Sequence, residues 1–392
     1  MKILFMIKYI DQVENLKGVK VLLRLDLNVP IVDGVVTDPY RMERSMQTID
    51  FLHTKGAQTV IIAHCEGKES STLLPMWKYL NGFLPVDFCP TYFTPEAIDK
   101  LLKMEDGGVL LFENLRINPG EKENDSEFAK KLSQMADIFV NDAFAVSHRK
   151  HASIVGVPKL LPSYGGFLLR EEIENLSKVF SPDHPFVFLL GGAKFETKMP
   201  LIKKYLESAD TVFVGGALAS DIYKAKGFEI GKSLTSDADA GDFGIAELLQ
   251  NPKLIFPVDV TVCQGEPLTQ VVFKKPNEIL ADETIVDAGP ETISELKNVL
   301  QNGDNGPAKT IVWNGPLGNF EIGFGDKTEA LAELIAEATT NGATSIVGGG
   351  DTLSSIRKLG LEEKFSFVST GGGAMLDFLV NETLPGIEVL TK

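Results

Sequence analysis

The chain has 392 residues, 44% of them hydrophobic and 23% charged, with a formal net charge of −16. That length gives two domains as the starting expectation, and the excess of acid argues against a nucleic-acid or anionic-membrane partner, since both demand clustered positive charge. Three widely spaced cysteines, Cys65, Cys89 and Cys263, form no CxxC pair, so neither a zinc site nor a disulfide framework is expected and a reducing compartment fits best.

The start, residues 1–10, looks briefly like a signal peptide, but Lys8 breaks its apolar run and Asp11 follows without a small-x-small cleavage site. They read as a cytoplasmic N-terminus. No stretch of about 18 apolar residues occurs, so no membrane span is expected.

Short β-branched or leucine-rich runs at 19–25, 59–63, 109–112, 138–141, 186–190, 211–214, 254–258, 310–312, 345–347 and 365–368 alternate with amphipathic stretches such as 44–54, 125–135, 198–206, 290–300 and 327–339. This alternation predicts an α/β fold of parallel sheets with crossover helices, with ligands beyond the carboxyl ends of the strands. The loops after strands are where chemistry is to be sought.

In the N-terminal half those loops hold Asp26 and Asn28, then a scattered basic set of Arg41, His64, Arg116, Arg149 and His151. Converging on one cleft, these would form a pocket for phosphate and carboxylate; separately, each reads as a turn residue, a surface arginine or a satisfied histidine. At 167–180, Leu168, Leu169, Ile173, Leu176 and Phe180 recur at helical spacing before a breaker-rich Ser181-Pro-Asp-His-Pro185. That segment fits an inter-domain hinge helix and fits an ordinary helix of one domain equally.

In the C-terminal half, Gly191-Gly192-Ala193-Lys194-Phe-Glu-Thr-Lys198 follows a strand-like run. Its two lysines are four apart and would share one face of a helix starting there. Gly227-Phe-Glu-Ile-Gly231-Lys232-Ser233 is one residue short of a P-loop and follows no strand directly, so it is set aside. Two glycine clusters, Gly348-Gly349-Gly350-Asp351-Thr352 and Gly371-Gly372-Gly373-Ala374, each lie between a strand-like run and a helix. Such loops admit an anion to backbone N–H groups, and Asp351 beside one could hold Mg²⁺; the same glycines would also serve simple turns.

These segments, in this order, resemble the phosphoglycerate kinase family. Arg24-Leu-Asp26-Leu-Asn28-Val-Pro30 looks like its N-terminal signature, and Phe112-Glu-Asn-Leu-Arg116-Ile-Asn-Pro-Gly-Glu121, Val140-Asn-Asp-Ala-Phe144 and Ser147-His-Arg149-Lys-His-Ala-Ser153 are similar to its middle. The segment 191–198, Val312-Trp-Asn-Gly-Pro-Leu-Gly-Asn-Phe-Glu321, 348–352 and 369–374 match its nucleotide half.

The resemblance implies two doubly wound, Rossmann-like parallel-sheet domains at residues 1–166 and 181–379. A hinge helix at 167–180 would join them, and the tail from about 380 to 392 would return to the first. It implies a cytoplasmic, monomeric kinase of glycolysis and gluconeogenesis that transfers a phosphoryl group from 1,3-bisphosphoglycerate to MgADP. Asp26, Asn28, Arg41, His64, Arg116 and Arg149 would bind 3-phosphoglycerate. Lys198, Glu321, Gly348, Gly349, Gly350, Asp351 and Thr352 would bind ADP or ATP, Asp351 through Mg²⁺, with Gly192, Ala193 and Gly216 near the adenine. Arg41, Lys194 and the backbone of Gly371, Gly372 and Gly373 would stabilise the phosphoryl group in transfer.

The chain departs from the family where Ser-His-Leu-Gly-Arg-Pro reads Ala63-His64-Cys65-Glu66-Gly67-Lys68, which puts Gly67 at the arginine position. Lys68 is expected to stand in for that arginine as a point charge, with Glu66 turned to solvent and Gly67→Arg restoring affinity. Ala217 replaces another family glycine. A non-catalytic binding relative is the rival that the missing arginine suggests. A dinucleotide-dependent oxidoreductase would need GxGxxG followed by an acid, and has neither.

Overall fold

The structure, a computed structural model, describes residues 7–67, 71–236, 244–265, 270–303 and 305–391. It divides into two units: the chain up to Glu174 together with the segment from Asn381, and Asn175–Val380.

The first unit is built on β1 (Lys20–Leu25), β2 (Gln58–Ile62), β3 (Asp87–Cys89), β4 (Val109–Phe112), β5 (Ile138–Asp142) and β6 (Ser163–Gly165). They form one parallel sheet in the order β3-β4-β2-β1-β5-β6. Leu22, Val60, Leu110 and Phe139 enter one apolar cluster, while Val21, Leu23, Ile61, Leu111 and Val140 enter another. A parallel strand covered on both faces is apolar at most positions, which is why these strands read as near-continuous runs. The helix α1 (Tyr40–Thr54) starts after Pro39, earlier than the sequence pattern indicates. The C-terminal segment is held to this unit by Gly386, whose N–H donates to Ser147 O at 2.8 Å and whose carbonyl accepts from Asn141 Nδ2 at 3.3 Å.

The segment expected at 167–180 is the α-helix α2 (Phe167–Ser177), which tightens to a 3₁₀ turn over Lys178–Phe180. The division between units falls inside α2. Asp142, the last residue of β5, holds its first turn by accepting from Leu169 N at 3.0 Å.

The second unit carries β7 (Phe186–Leu190), β8 (Thr211–Val214), β9 (Leu254–Ile255), β10 (Val260–Gln264), β11 (Gln270–Lys274), β12 (Glu283–Ala288), β13 (Thr310–Asn314), β14 (Thr344–Gly348) and β15 (Phe367–Val368). Its main sheet is parallel in the order β9-β8-β7-β13-β14-β15. Its helices include α3 (Phe195–Ser208), α4 (Gly350–Lys358) and α5 (Gly373–Asn381). The strand expected at 254–258 stops at Ile255, two residues before Pro257, which has no N–H for a ladder.

A separate antiparallel sheet, β11-β10-β12, was not indicated by strand–helix alternation. It also accounts for the P-loop-like segment. Lys232 N donates to Glu283 O at 2.7 Å and Ser233 Oγ accepts from Ile285 N at 2.8 Å, so 231–233 edges this sheet.

Candidate active site

In each main sheet the strand order reverses beside the first strand, between β1 and β5 and between β7 and β13. A crevice opens beyond the carboxyl ends at such a switch point. In the first unit, Asp26 follows β1, His64 follows β2, Arg116 follows β4 and Arg149 follows β5.

Asp26, almost fully buried, accepts from Arg41 Nη1 at 3.1 Å, and Arg41 also reaches the Asn28 carbonyl at 3.4 Å. Arg24, buried within β1, donates Nε to Ser153 Oγ at 2.9 Å and Nη2 to His64 Nδ1 at 3.2 Å. Arginine has no acceptor, so His64 accepts on Nδ1 and carries its proton on Nε2. Burial, followed by the charges of Arg24, Arg116, Arg149 and His151, pushes the His64 pKa far below the ordinary imidazole value. Ser153 in turn donates Oγ and N to the buried Glu121 carboxylate at 2.6 and 2.9 Å.

The Arg116 side chain is only 6% exposed, and its Nε and Nη2 have no hydrogen-bond partner among the described residues. Burial, then repulsion from Arg149 and Arg24, lowers its pKa to about 10, so it stays charged at neutral pH. Burial and then Arg116, Arg149, Arg24 and Lys122 hold His151 at about 4. A depressed histidine costs stability as pH falls from 6.5 towards 4, because the unfolded chain takes up the proton first. We expect the His151 Cε1 proton to titrate near 4 by NMR and to move upward when an anion binds; a midpoint near 6.5 without anion would remove the case for a positive cluster.

Glu66 is a correction. Its carboxylate, although half-exposed, does not turn away from the site but pairs with Arg116, 3.8 Å from Lys122 Nζ and 4.0 Å from Arg149 Nη1. Gly67 has φ +151°, a conformation that favours glycine, so the arginine expected to restore affinity there would strain the loop. Lys68 lies outside the described residues.

In the second unit Gly192, Ala193, Gly216, Glu321 and Asp351 line one cleft of about 230 Å³, whose far wall includes Val260 and Ile285 of the antiparallel sheet. The loops after β7, β8 and β13 meet backbone to backbone. A Cβ on Gly191 would stand 2.2 Å from Pro316 O, and Gly216 has φ +64° with no room for a side chain beside Gly192 N. Thr352 Oγ1 accepts from Gly315 N at 3.1 Å, tying α4 to the loop after β13. Gly348 ends β14, Gly349 caps α4 and Gly350 begins it.

Lys198 is buried in α3 and donates Nζ to the Gly191 carbonyl. Burial lowers its pKa to about 8, against the upward pull of the Asp351 charge. Lys194 does not share its helix face: it is the exposed N-cap residue, with left-handed φ +66°, and α3 begins only at Phe195. Lys194 and the loop of Gly371, Gly372 and Gly373, which follows β15, stand outside the cleft lining. Asp351, an exposed carboxylate at the cleft, suits Mg²⁺, which takes one or two protein carboxylates and completes its shell with substrate phosphates and water. No group of three or more His, Cys, Asp or Glu able to hold a metal alone occurs among the described residues.

The family model of phosphoglycerate kinase matches residues 10–382. The chain belongs to the phosphoglycerate kinase family. It is 41% identical to a phosphoglycerate kinase of Fervidobacterium nodosum over 95% of this chain and 96% of that one. It is 40% identical to one of Orientia tsutsugamushi over 95% of this chain and 94% of that one. The phosphoglycerate kinase structure of Coxiella burnetii superposes with a TM-score of 0.81 at 36% identity, covering 98% of this chain and 99% of that one. That of Pyrococcus horikoshii gives 0.85 at 32%, covering 98% of each.

Family membership implies a kinase built on two parallel-sheet domains, as found here. Within that frame, sequence reasoning assigned no role to Arg24, Glu121, Lys122 or Ser153. Arg24 had left a signal, a single charge inside the apolar run Val21-Leu-Leu-Arg-Leu25. The others had none, because their pairing joins distant segments. No helix of the described residues is long and apolar enough to cross a membrane.

Proposed function

We propose that the chain catalyses reversible transfer of a phosphoryl group between 1,3-bisphosphoglycerate and MgADP, yielding 3-phosphoglycerate and MgATP, as a cytoplasmic monomer of glycolysis and gluconeogenesis. The observation that carries this reading is the buried cationic cluster of Arg24 and Arg116, with Arg149 beside it, at the carboxyl end of the first unit's sheet in a chain of net charge −16.

In the forward direction the bond between phosphorus and the carboxyl oxygen breaks, and one forms from phosphorus to a terminal oxygen of ADP. The leaving group departs as a carboxylate and the nucleophile is already anionic, so no proton moves. A neutral His64 therefore suits substrate binding rather than general-base work. Arg116, Arg149, His64, Asp26 and Asn28 hold 3-phosphoglycerate. Gly192, Ala193 and Gly216 flank the adenine, while Lys198, Glu321, Gly348–350 and Thr352 hold the nucleotide and Asp351 its Mg²⁺. Arg41, Lys194 and the N–H groups of Gly371, Gly372 and Gly373 meet the transferring group, since such transfer rests on positioning and charge stabilisation. Each unit carries one ligand, so in-line transfer requires a closure that excludes water, and α2 would serve as its hinge.

Calorimetry with separate ligands tests this division. Asp351→Asn should weaken ADP binding when Mg²⁺ is present, and leave 3-phosphoglycerate binding unchanged. An equal loss with and without Mg²⁺ would make Asp351 structural. Absence of 3-phosphoglycerate binding by the unaltered chain would refute the substrate assignment.

A further inference from the structure

The cations of the first unit already hold an anion that belongs to the chain. Glu66 lies four residues past the end of β2, and its backbone is pinned there. Its N–H donates to Asn28 Oδ1 at 2.8 Å, and Asn114 Nδ2 donates to the neighbouring Cys65 carbonyl at 3.0 Å. From that fixed point its carboxylate reaches Arg116, Lys122 and Arg149.

The two partners differ in what they can reach. Arg116 is buried with two nitrogens unpartnered among the described residues, whereas the Glu66 side chain is 46% exposed. The guanidinium cannot go to water for its missing acceptors; the carboxylate can go to water without crossing the core.

We propose that Glu66 is a built-in competitor for the substrate anion. It pairs with Arg116 and offsets part of the charge of Lys122 and Arg149 in the free protein, and is displaced to solvent when a phosphorylated acid binds, so it sets the affinity and selectivity of that site. The inference rests on the first unit being the phosphorylated-acid site. An incoming monoanion merely exchanges one carboxylate for another and gains little. A phosphate group carries about −1.5 to −2 at neutral pH and three acceptor oxygens, so it outcompetes the carboxylate and also meets the donors that Glu66 leaves unused. The carboxylate is half-exposed, so its hold is weakened by salt, and low ionic strength shows the competition best.

The test measures the Kd of 3-phosphoglycerate and of inorganic sulfate by calorimetry at low salt, for the unaltered chain, Glu66→Gln and Glu66→Ala. Both charge-free variants are expected to bind 3-phosphoglycerate about tenfold more tightly, equivalent to about 1.4 kcal/mol. They should gain on sulfate as well, with MgADP affinity unchanged. Affinities equal to or below that of the unaltered chain would overturn the inference and make Glu66 idle or a positioning residue for Arg116. If none of the three proteins binds 3-phosphoglycerate while MgADP still binds, the site assignment itself fails; equal binding by all three sinks only the role of Glu66.

Discussion

Lys194→Ala is expected to lower kcat by roughly 10²–10³, the usual cost of losing one positioned charge in a closed site, and to leave MgADP affinity nearly unchanged. The contrast with its neighbour in sequence carries the argument. Lys198 is buried and spends a donor on the Gly191 carbonyl, so it is fixed beneath the loop after β7. Lys194 is exposed at the start of α3, in a left-handed backbone conformation that costs a non-glycine residue roughly 1–2 kcal/mol. Strain of that kind persists where the surrounding structure imposes it, and it is concentrated at functional sites. Lys194 can therefore act when the phosphoryl group is between its partners, without contributing to ground-state nucleotide binding. Steady-state kinetics separates the roles: a raised KM for ADP with kcat intact would reassign Lys194 to the cleft wall.

Arg116→Met is expected to weaken 3-phosphoglycerate binding by roughly 10²-fold, with MgADP affinity unaltered. Truncating one member of a buried, charge-assisted contact costs about 2–5 kcal/mol, and Arg116 is the most deeply buried of the cations around Glu66. The same change gives a second readout. After burial, the Arg116 charge is the largest influence holding His151 near 4, so its removal should raise that midpoint towards 6.5. Unchanged 3-phosphoglycerate affinity together with a risen His151 midpoint would mean that the cluster exists but does not bind the substrate.

Strands at 109–112, 186–190 and 211–214 are found at the positions the apolar runs indicate, because a parallel strand buried on both faces reads as a near-continuous apolar run. Asp87–Cys89 and Ser163–Gly165, of three residues each, are too short to show a period. The antiparallel sheet escaped because its strands Val260–Gln264 and Gln270–Lys274 lie close together in sequence, without the dozen or more residues a parallel crossover takes.

The site shows a similar split. Residue types suited to anion chemistry were legible in the loops after strands. Their surroundings were not: the contacts of Arg24 with Ser153 and His64, and of Ser153 with Glu121, span tens to more than a hundred residues. The pairing of Glu66 with Arg116 was not legible, because it joins two loops far apart in sequence. The position of Glu66 is set by Asn28 and Asn114, two side chains from other loops.

The most direct measurement is ATP formation from 1,3-bisphosphoglycerate and MgADP in a coupled assay with purified protein. The account predicts ATP only when both substrates are present, with loss of rate in Lys194→Ala and loss of acid-substrate affinity in Arg116→Met. A purified, folded chain that binds both ligands yet forms no ATP would contradict it, and would leave the non-catalytic binding protein as the better description.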